Sequence, residues 1–329
     1  MRNDPNFPKE LGISPYIKLV HNRHHHNDHV DDDVFGITAQ QHSIEKYGIA
    51  GRIWEAAYAL ITYLNHDTTW DFDPVFIDGP SSLQRHVIIE LGSGTGIVSA
   101  RIADSDVLKD RDIVIVTDLP SVCPLLENNL RSQMKEPSSV SLDGGIVVQP
   151  LTWGNLDDAL NIARYLELST TCEPCCLTHI ICSDLIYFPE LHGPLLRTLI
   201  HLTSMPFVNY SKAHPAEIVI SYKIRSFLKE TPFWTAFGLW FSFQPVVARQ
   251  KMAQGWSDWD RFNPSDDGDR IFVFVAHRRP ESYKWEVPLE DRDLMNGVGA
   301  KNSSSNKGDD TFETLLFMDL AFSEENTIC

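Results

Sequence analysis

Three glycines at alternate positions follow a short apolar stretch that carries one acidic residue. Residues 86–96 have the sequence HVIIELGSGTG, so Glu90 lies among apolar side chains and is followed by Gly92, Gly94 and Gly96. Glycine has no Cβ atom, which lets the main chain approach a ligand closely and permits positive φ. This pattern predicts a ligand-binding turn after a buried strand.

The spacing of the glycines differs from that of a dinucleotide-binding turn. A dinucleotide fingerprint has the form GxGxxG and directs a helix N-terminus at a pyrophosphate. This chain has GxGxG preceded by an acid, and a carboxylate suits a ligand with an ammonium group better than a pyrophosphate. A buried carboxylate without a partner is costly, so we expect Glu90 to bind a ligand.

Buried strands and helices alternate along the chain around this turn. Short, near-continuous apolar runs predict parallel strands at residues 87–91, 112–119, 145–151, 178–187 and 217–225. Apolar residues at helical spacing predict helices at residues 51–66, 97–108, 121–134, 156–168, 189–203 and 230–240.

The alternation stops after residue 240. Residues 241–249 and 269–277 predict two strands with a tryptophan-rich connection and no long helix between them. The whole pattern predicts an α/β fold: a Rossmann-like, doubly wound, seven-stranded sheet that is mostly parallel and ends in an antiparallel β-hairpin. Ligands of such sheets bind at the carboxyl ends of the strands.

Composition divides the chain into three predicted parts. Residues 1–35 are an irregular extension rich in His and Asp, residues 36–280 form the α/β domain, and residues 281–329 are a tail. The tail combines a low-complexity linker at 296–310 with a short helix at 311–322. The clustered His and Asp residues at 21–33 are either metal ligands or, as we expect, part of a solvated loop.

Charge and cysteine content restrict the classes of partner. With 45 acidic and 28 basic residues, the net charge of −17 argues against nucleic-acid binding. No apolar stretch is long enough for a membrane span, and the first ten residues do not resemble a secretory signal. We therefore expect a cytoplasmic monomer that binds neither nucleic acid nor membrane.

The six cysteines are expected to be free thiols, because a disulfide scaffold is typical of much shorter secreted chains. Three of them lie in the segment CEPCC at 172–176. A zinc site there would need Cys182 or His179 as a further ligand at unusual spacing, so we expect a plain loop and no metal.

Several motifs together resemble a known enzyme family. ELGSGTG at 90–96 resembles the first motif of class I, seven-β-strand S-adenosylmethionine-dependent methyltransferases. Further segments resemble the family-16 group, which is dominated by protein lysine N-methyltransferases of translation factors and chaperones. These segments are GRIWEAAYAL at 51–60, LTWG at 151–154, SDLIY at 183–187 and YKIR at 222–225.

The resemblance implies S-adenosyl-L-methionine as cofactor. It places Asp118 on the ribose hydroxyls, Trp153 near the adenine and Trp54 over the bound cofactor. The implied cofactor-binding residues are Trp54, Glu90, Gly92, Gly94, Gly96, Asp118, Leu119, Trp153 and Ser183. From the residues alone, the two tryptophans could instead be ordinary core and Asp118 could cap the next helix.

The implied reaction is direct in-line methyl transfer to a lysine amine of a protein, with elongation factor 1-alpha as the favoured substrate. Asp184 would orient the amine by hydrogen bonding and Tyr187 would line the entry; alternatively, Asp184 is a structural residue at a strand end. Two other functions stay open: a protein-histidine or small-amine N-methyltransferase, and a catalytically inactive methyltransferase-fold scaffold.

Overall fold

The computed structural model describes residues 12–18, 34–64, 69–77, 85–105, 108–109, 111–134, 144–168, 176–208, 215–264 and 270–325. The histidine-rich segment 21–33 and residues 172–175 of the cysteine-rich segment lie outside these ranges. Within the described part, Cys123, Cys176 and Cys182 are free thiols, as predicted. None of the described helices has the length and apolar character that a membrane crossing requires.

The α-helices are α1 Ile37–Tyr47, α2 Glu55–Leu64, α3 Ile97–Ala103, α4 Cys123–Asn129, α5 Leu156–Leu168, α6 Pro189–Leu202, α7 Phe227–Trp240, α8 Asp291–Met295 and α9 Thr311–Glu325. The strands are β1 Trp70–Asp73, β2 Val87–Leu91, β3 Ile113–Asp118, β4 Gly145–Pro150, β5 His179–Ser183, β6 Glu217–Lys223, β7 Phe241–Pro245, β8 Val247–Met252, β9 Gly255–Trp256, β10 Asp260–Arg261 and β11 Ile271–Arg278. Short 3₁₀ helices cover Gly48–Gly51, Pro280–Lys284 and Ala300–Asn302.

The main sheet has seven strands in the order β4-β3-β2-β5-β6-β11-β7. Strands β2 to β6 pair in parallel, whereas β11 runs antiparallel to both β6 and β7. The predicted fold class, a doubly wound and mostly parallel sheet with an antiparallel end, is confirmed. Strand β2 lies between β3 and β5, so the order of connection reverses beside it, which is where such sheets bind ligands.

Each face of the sheet carries its own apolar core. Alternate residues of β2 divide between them: Val87, Ile89 and Leu91 belong to one core, and Ile88 to the other. This division explains why the strand reads as a continuous apolar run, since both faces are covered. Glu90 has the parity of Ile88 and therefore faces the side of the sheet that α2 and α3 cover.

One predicted strand differs from the structure beside the smaller second sheet. The predicted strand at 241–249 is divided at Val246, so that β7 joins the main sheet while β8 pairs with β1, β9 and β10. The buried Val246 links the sheets: its N–H donates to Val273 O (2.8 Å), and its carbonyl accepts from Phe262 N (2.9 Å). Pro245 directly precedes the division, and because proline cannot donate a backbone hydrogen bond, it was a local sign that this run is not one uninterrupted strand.

Helix α1 was also missed, because the first predicted helix began at residue 51. One of its two buried side chains is Gln40, a polar residue that weakens the apolar period. Gln40 Oε1 accepts from Tyr16 N (3.2 Å) and Ile53 N (3.0 Å), and its Nε2 donates to Phe35 O (2.9 Å). The side chain is therefore paired inside the protein despite its polarity.

Residues of the predicted tail contribute to the core on the α6 and α7 side. Leu294, Ala300 and Phe312 are fully buried there. The boundaries 1–35, 36–280 and 281–329 stay a prediction.

Candidate functional site

A cavity of about 530 Å³ opens at the carboxyl ends of β2, β3 and β5. Its volume lies in the range of small-molecule sites. All the predicted site residues except Gly96 line it: Trp54, Glu90, Gly92, Gly94, Asp118, Leu119, Trp153, Ser183, Asp184 and Tyr187. The structure therefore brings together side chains from five separate motifs, whereas the binding roles of these residues stay predictions.

The glycine turn leaves no room for side chains. Gly92 and Gly94 both have φ of +55°. A Cβ atom at Gly92 would lie 2.9 Å from carbon atoms of both Leu185 and Trp153, and one at Gly94 would lie 3.0 Å from the carbonyl oxygen of Ala50. The turn thus presents bare main chain to the cavity.

Gly96 does not line the cavity. It has φ of +82° and directly precedes α3, and a Cβ there would lie 3.0 Å from a methyl carbon of Leu126. This glycine allows the turn to pack closely against α4.

Glu90 lies beneath the turn with only 1% of its surface exposed. Its Oε2 accepts from the backbone N–H of Ser99 (3.2 Å) and from the Ser99 hydroxyl. Burial raises the pKa of Glu90 to about 7, against the opposing effect of the Ser99 hydrogen bonds. A cation bound here would favour the ionised carboxylate, which makes Glu90 a suitable acceptor for an ammonium group.

Asp118 joins the turn to the end of β3. Its Oδ2 accepts from Gly94 N (2.8 Å) and its Oδ1 from Leu119 N (2.7 Å), while burial raises the pKa of the carboxyl group to about 6. The alternative that Asp118 caps the next helix is wrong, because α4 begins beyond Val122 and has no side-chain cap. Carboxylate oxygens accept more than one hydrogen bond, so Asp118 retains capacity toward a vicinal diol.

The two predicted tryptophans line the cavity from different elements: Trp54 directly precedes α2, and Trp153 follows β4. Trp153 is partly buried, and its ring lies so close to Gly92 that any side chain on that glycine would meet it. Trp54 donates its Nε1–H to Ile49 O (3.1 Å), and the guanidinium carbon of Arg52 lies 4.2 Å from its ring centroid. Both rings line the cavity, so neither is only a core side chain.

Asp184 is held by an arginine that the sequence analysis did not single out. Its carboxylate is paired with both terminal nitrogens of Arg225, Nη1 to Oδ1 at 2.6 Å and Nη2 to Oδ2 at 2.5 Å. Asp184 is buried and has φ of +61°, and its N–H donates to Ser221 O (2.8 Å). Arg225 belongs to the YKIR segment, but its partner Asp184 follows a different strand, β5.

Further ion pairs extend from Arg225 to the start of α2. Arg225 Nη2 lies 3.2 Å from Glu55 Oε2, and Glu55 Oε1 lies 2.7 Å from Arg52 and 3.8 Å from Lys223. Burial acts to raise the pKa of Glu55, but the hydrogen bond and charge of Arg52, with Lys223, lower it to about 2. The cavity mouth therefore carries a connected group of fixed charges.

Ser183 and Tyr187 complete the side of the cavity formed after β5. The buried Ser183 Oγ has no hydrogen-bond partner in the described part of the chain. Tyr187 packs edge-on against Phe188, and burial raises the pKa of its hydroxyl. An unpaired buried hydroxyl is costly, so its position on the cavity wall fits a ligand that completes the hydrogen bond.

The chain is similar to several curated protein methyltransferases. It is 28% identical to Protein N-lysine methyltransferase METTL21A of Xenopus tropicalis over 50% of this chain and 60% of that protein. It is 24% identical to Protein-lysine N-methyltransferase EFM6 of Saccharomyces cerevisiae, covering 54% and 65%, and 29% identical to EEF1A lysine methyltransferase 3 of Mus musculus, covering 48% and 52%. The chain thus spans between 52% and 65% of the length of these curated relatives.

A family model described as lysine methyltransferase matches residues 32–236, which is more than half of the chain. The match includes every predicted site residue and confirms the resemblance found in the sequence. The chain belongs to this lysine methyltransferase family.

Proposed function

We propose that this protein is an S-adenosylmethionine-dependent protein-lysine N-methyltransferase that acts on elongation factor 1-alpha. The observation that carries the proposal is the single cavity that joins the glycine turn, two acids and two indoles to Asp184, all within the region matched by the family. The substrate is supported by one relative named as an EEF1A lysine methyltransferase.

The residues on the cavity wall fit S-adenosylmethionine. When bound, this cofactor supplies a methyl group on a sulfonium, which a nucleophile accepts in line. Glu90 binds the ammonium group, Asp118 accepts from the ribose hydroxyls, and the bare main chain of Gly92 and Gly94 permits close approach. Trp153 and Leu119 pack around the adenine, Trp54 covers the cofactor, and the unpaired Ser183 hydroxyl gains a partner.

The acceptor amine enters beside Asp184 and Tyr187. A lysine amine has a reference pKa of about 10.4, so it must lose a proton before it attacks. The protein's main contribution is to hold the neutral amine in line, since such positioning can supply several kcal/mol. Asp184 orients the amine and Tyr187 lines the entry.

The partner in this proposal is a protein, and the chain acts as a monomer in the cytoplasm, where elongation factors work. No nucleic acid takes part. The strongly acidic net charge of −17 suits a basic surface on the protein substrate.

Methyl-labelled S-adenosylmethionine tests the proposal. The protein is incubated with the cofactor and either purified elongation factor 1-alpha or a cell lysate, and labelled proteins are mapped by mass spectrometry. We expect label on a lysine of elongation factor 1-alpha, and much less label with the Asp118→Ala variant when the cofactor concentration is limiting. Label on histidine, or only in small molecules, would overturn the lysine assignment, and failure to bind S-adenosylhomocysteine in calorimetry would favour a scaffold.

A further inference from the structure

The carboxylate nearest the proposed acceptor side is already neutralised by a cation of the same chain. Only 1% of the Asp184 side chain is exposed, and its partner Arg225 is 29% exposed. Both carboxylate oxygens are engaged by the guanidinium, and both residues line the cavity. A bidentate pair of this geometry is strong and directional.

The cation of this pair keeps its charge across the useful pH range. Arginine is not deprotonated in proteins, so Arg225 stays cationic. The backbone N–H of Lys223 lies 3.4 Å from Asp184 Oδ1. The charge of Asp184 acts on the hydroxyls of Tyr187 and Tyr222, and Glu55 on α2 is paired with Arg225. Neither tyrosine ionises near neutral pH, because burial raises the pKa of both hydroxyls.

Methyl transfer to lysine requires the uncharged amine. The ammonium releases a proton to water; the nitrogen lone pair then forms the new C–N bond while the S–C bond breaks and its electron pair returns to sulfur. The product is the N-methylammonium, so the reaction balances with one proton released to water. An unpaired carboxylate beside the acceptor would stabilise the ammonium and oppose the first of these steps.

We propose that Arg225 is a positioning residue that acts through Asp184: by neutralising this carboxylate, it lets the site bind the substrate lysine as a neutral amine instead of trapping the ammonium. This inference rests on the proposed function and goes beyond it. It states that Arg225, which need not touch the substrate, sets the charge of the acceptor side.

The main chain around Arg225 is anchored independently of its guanidinium. Glu230 Oε2 accepts from Arg225 N (3.2 Å) and Glu230 Oε1 from Ser226 N (2.9 Å), and the Tyr222 hydroxyl donates to the same carboxylate. Replacing the Arg225 side chain therefore removes the countercharge while leaving these bonds in place. Arg225→Gln is the informative variant, and Arg225→Lys is its charge-conserving control.

The first test is the pH dependence of methyl transfer to elongation factor 1-alpha between about pH 6.5 and 9.5, a range in which a replacement lysine stays mostly charged. For Arg225→Gln we expect the acidic limb of kcat to move up by about one pH unit, which is a tenfold loss of the neutral amine at a given pH. KM falls because the ammonium is held, and Arg225→Lys restores the wild-type profile. A loss by the same factor at every pH, with no restoration by lysine, would overturn the inference.

The second test does not depend on methyl transfer. Binding of n-butylammonium and of 1-butanol is compared by ligand-detected NMR, with and without S-adenosylhomocysteine. The wild type should show no preference, Arg225→Gln should prefer n-butylammonium by about tenfold, and Arg225→Gln combined with Asp184→Asn should lose that preference. If Arg225→Gln gains no preference, the inference is wrong; if it does but the wild type methylates nothing, only the proposed function fails.

Discussion

Trp234 of α7 and Phe312 of α9 stack with ring centroids 4.9 Å apart and planes inclined by 12°. Both rings are fully buried, and each also contacts Tyr222 of β6, at 5.3 Å and 6.1 Å. The Tyr222 hydroxyl donates to Glu230, whose carboxylate holds the backbone N–H of Arg225. The C-terminal helix is therefore packed against the same residues that support the acceptor side of the cavity.

Replacing Phe312 by alanine should destabilise the whole fold. Removing a fully buried phenylalanine costs about 3–5 kcal/mol, because apolar contacts are lost and a cavity is left. Phe317→Ala on the same helix is the matched control, since that side chain is 72% exposed and should change the free energy of unfolding by less than about 0.5 kcal/mol. Denaturant unfolding measures both; equal effects would show that α9 is not part of the core.

Local patterns in the sequence were sufficient to predict the main sheet. Strand β2 has buried neighbours on both faces, which requires a continuous apolar run, and the glycines after it cannot carry side chains. Both requirements restrict the residue types at these positions, so they can be recognised in the sequence. The position of the cavity could also be predicted, because parallel strands place their carboxyl ends at one edge of the sheet.

Features that depend on contacts between distant residues could not be predicted in this way. Asp184 and Arg225 follow different strands, and neither motif states that one neutralises the other. Gln40 is buried because four backbone groups pair with its side chain, although a polar side chain is more often exposed. In both cases the environment of the side chain depends on the group that it contacts, which the residue type alone does not reveal.

Adding one methyl group at Gly92 should abolish cofactor binding. The alanine Cβ would lie 2.9 Å from Leu185 and Trp153 at a φ of +55°, so the turn would have to shift against the indole that borders the cavity. Gly12→Ala is the control, because its Cβ would meet no heavy atom within 4 Å. Calorimetry with S-adenosylhomocysteine should show binding for the control alone; wild-type affinity in Gly92→Ala would place the cofactor elsewhere.

Asp118→Ala should weaken cofactor binding without unfolding the protein. The change removes the acceptor for the ribose and the bond that holds Gly94 N, and hydrogen bonds to charged groups contribute about 1.5–3 kcal/mol each. We therefore expect the Kd of S-adenosylhomocysteine to rise by about tenfold or more. Asp104→Ala, at an exposed position after α3, should bind normally. Unchanged affinity in a folded Asp118→Ala protein would exclude the ribose assignment.

Glu90→Gln should stabilise the empty protein and weaken cofactor binding. The pKa of Glu90 is about 7 in the folded state and near 4.5 when unfolded, so the folded state binds more protons between these values and stability falls as pH rises through them. Above pH 7 this costs the wild type about 3 kcal/mol, which the neutral glutamine avoids.

Thermal unfolding at pH 5 and pH 8 compares the stability of Glu90→Gln with that of the wild type. The stability advantage of the variant should be larger at pH 8. In the wild type, cofactor affinity should fall as the pH is lowered from 8 to 6, because protonated Glu90 no longer attracts an ammonium group. Glu90→Gln should lose most of that dependence. A variant that unfolds at a lower temperature than the wild type at pH 8 would contradict the assigned cost of the buried charge.

Asp184→Ala should separate cofactor binding from methyl transfer. The carboxylate lies at the acceptor side and is paired with Arg225, so its removal leaves the glycine turn, Glu90 and Asp118 unchanged. We expect unchanged affinity for S-adenosylhomocysteine and a loss of turnover of about a hundredfold, the size of effect that a misplaced reactant produces. Adding Arg225→Ala removes the guanidinium that was paired with Asp184. It should not restore turnover, because the carboxylate that orients the amine is still absent. Full activity in Asp184→Ala would remove this residue from the mechanism and leave it a structural residue at the end of β5.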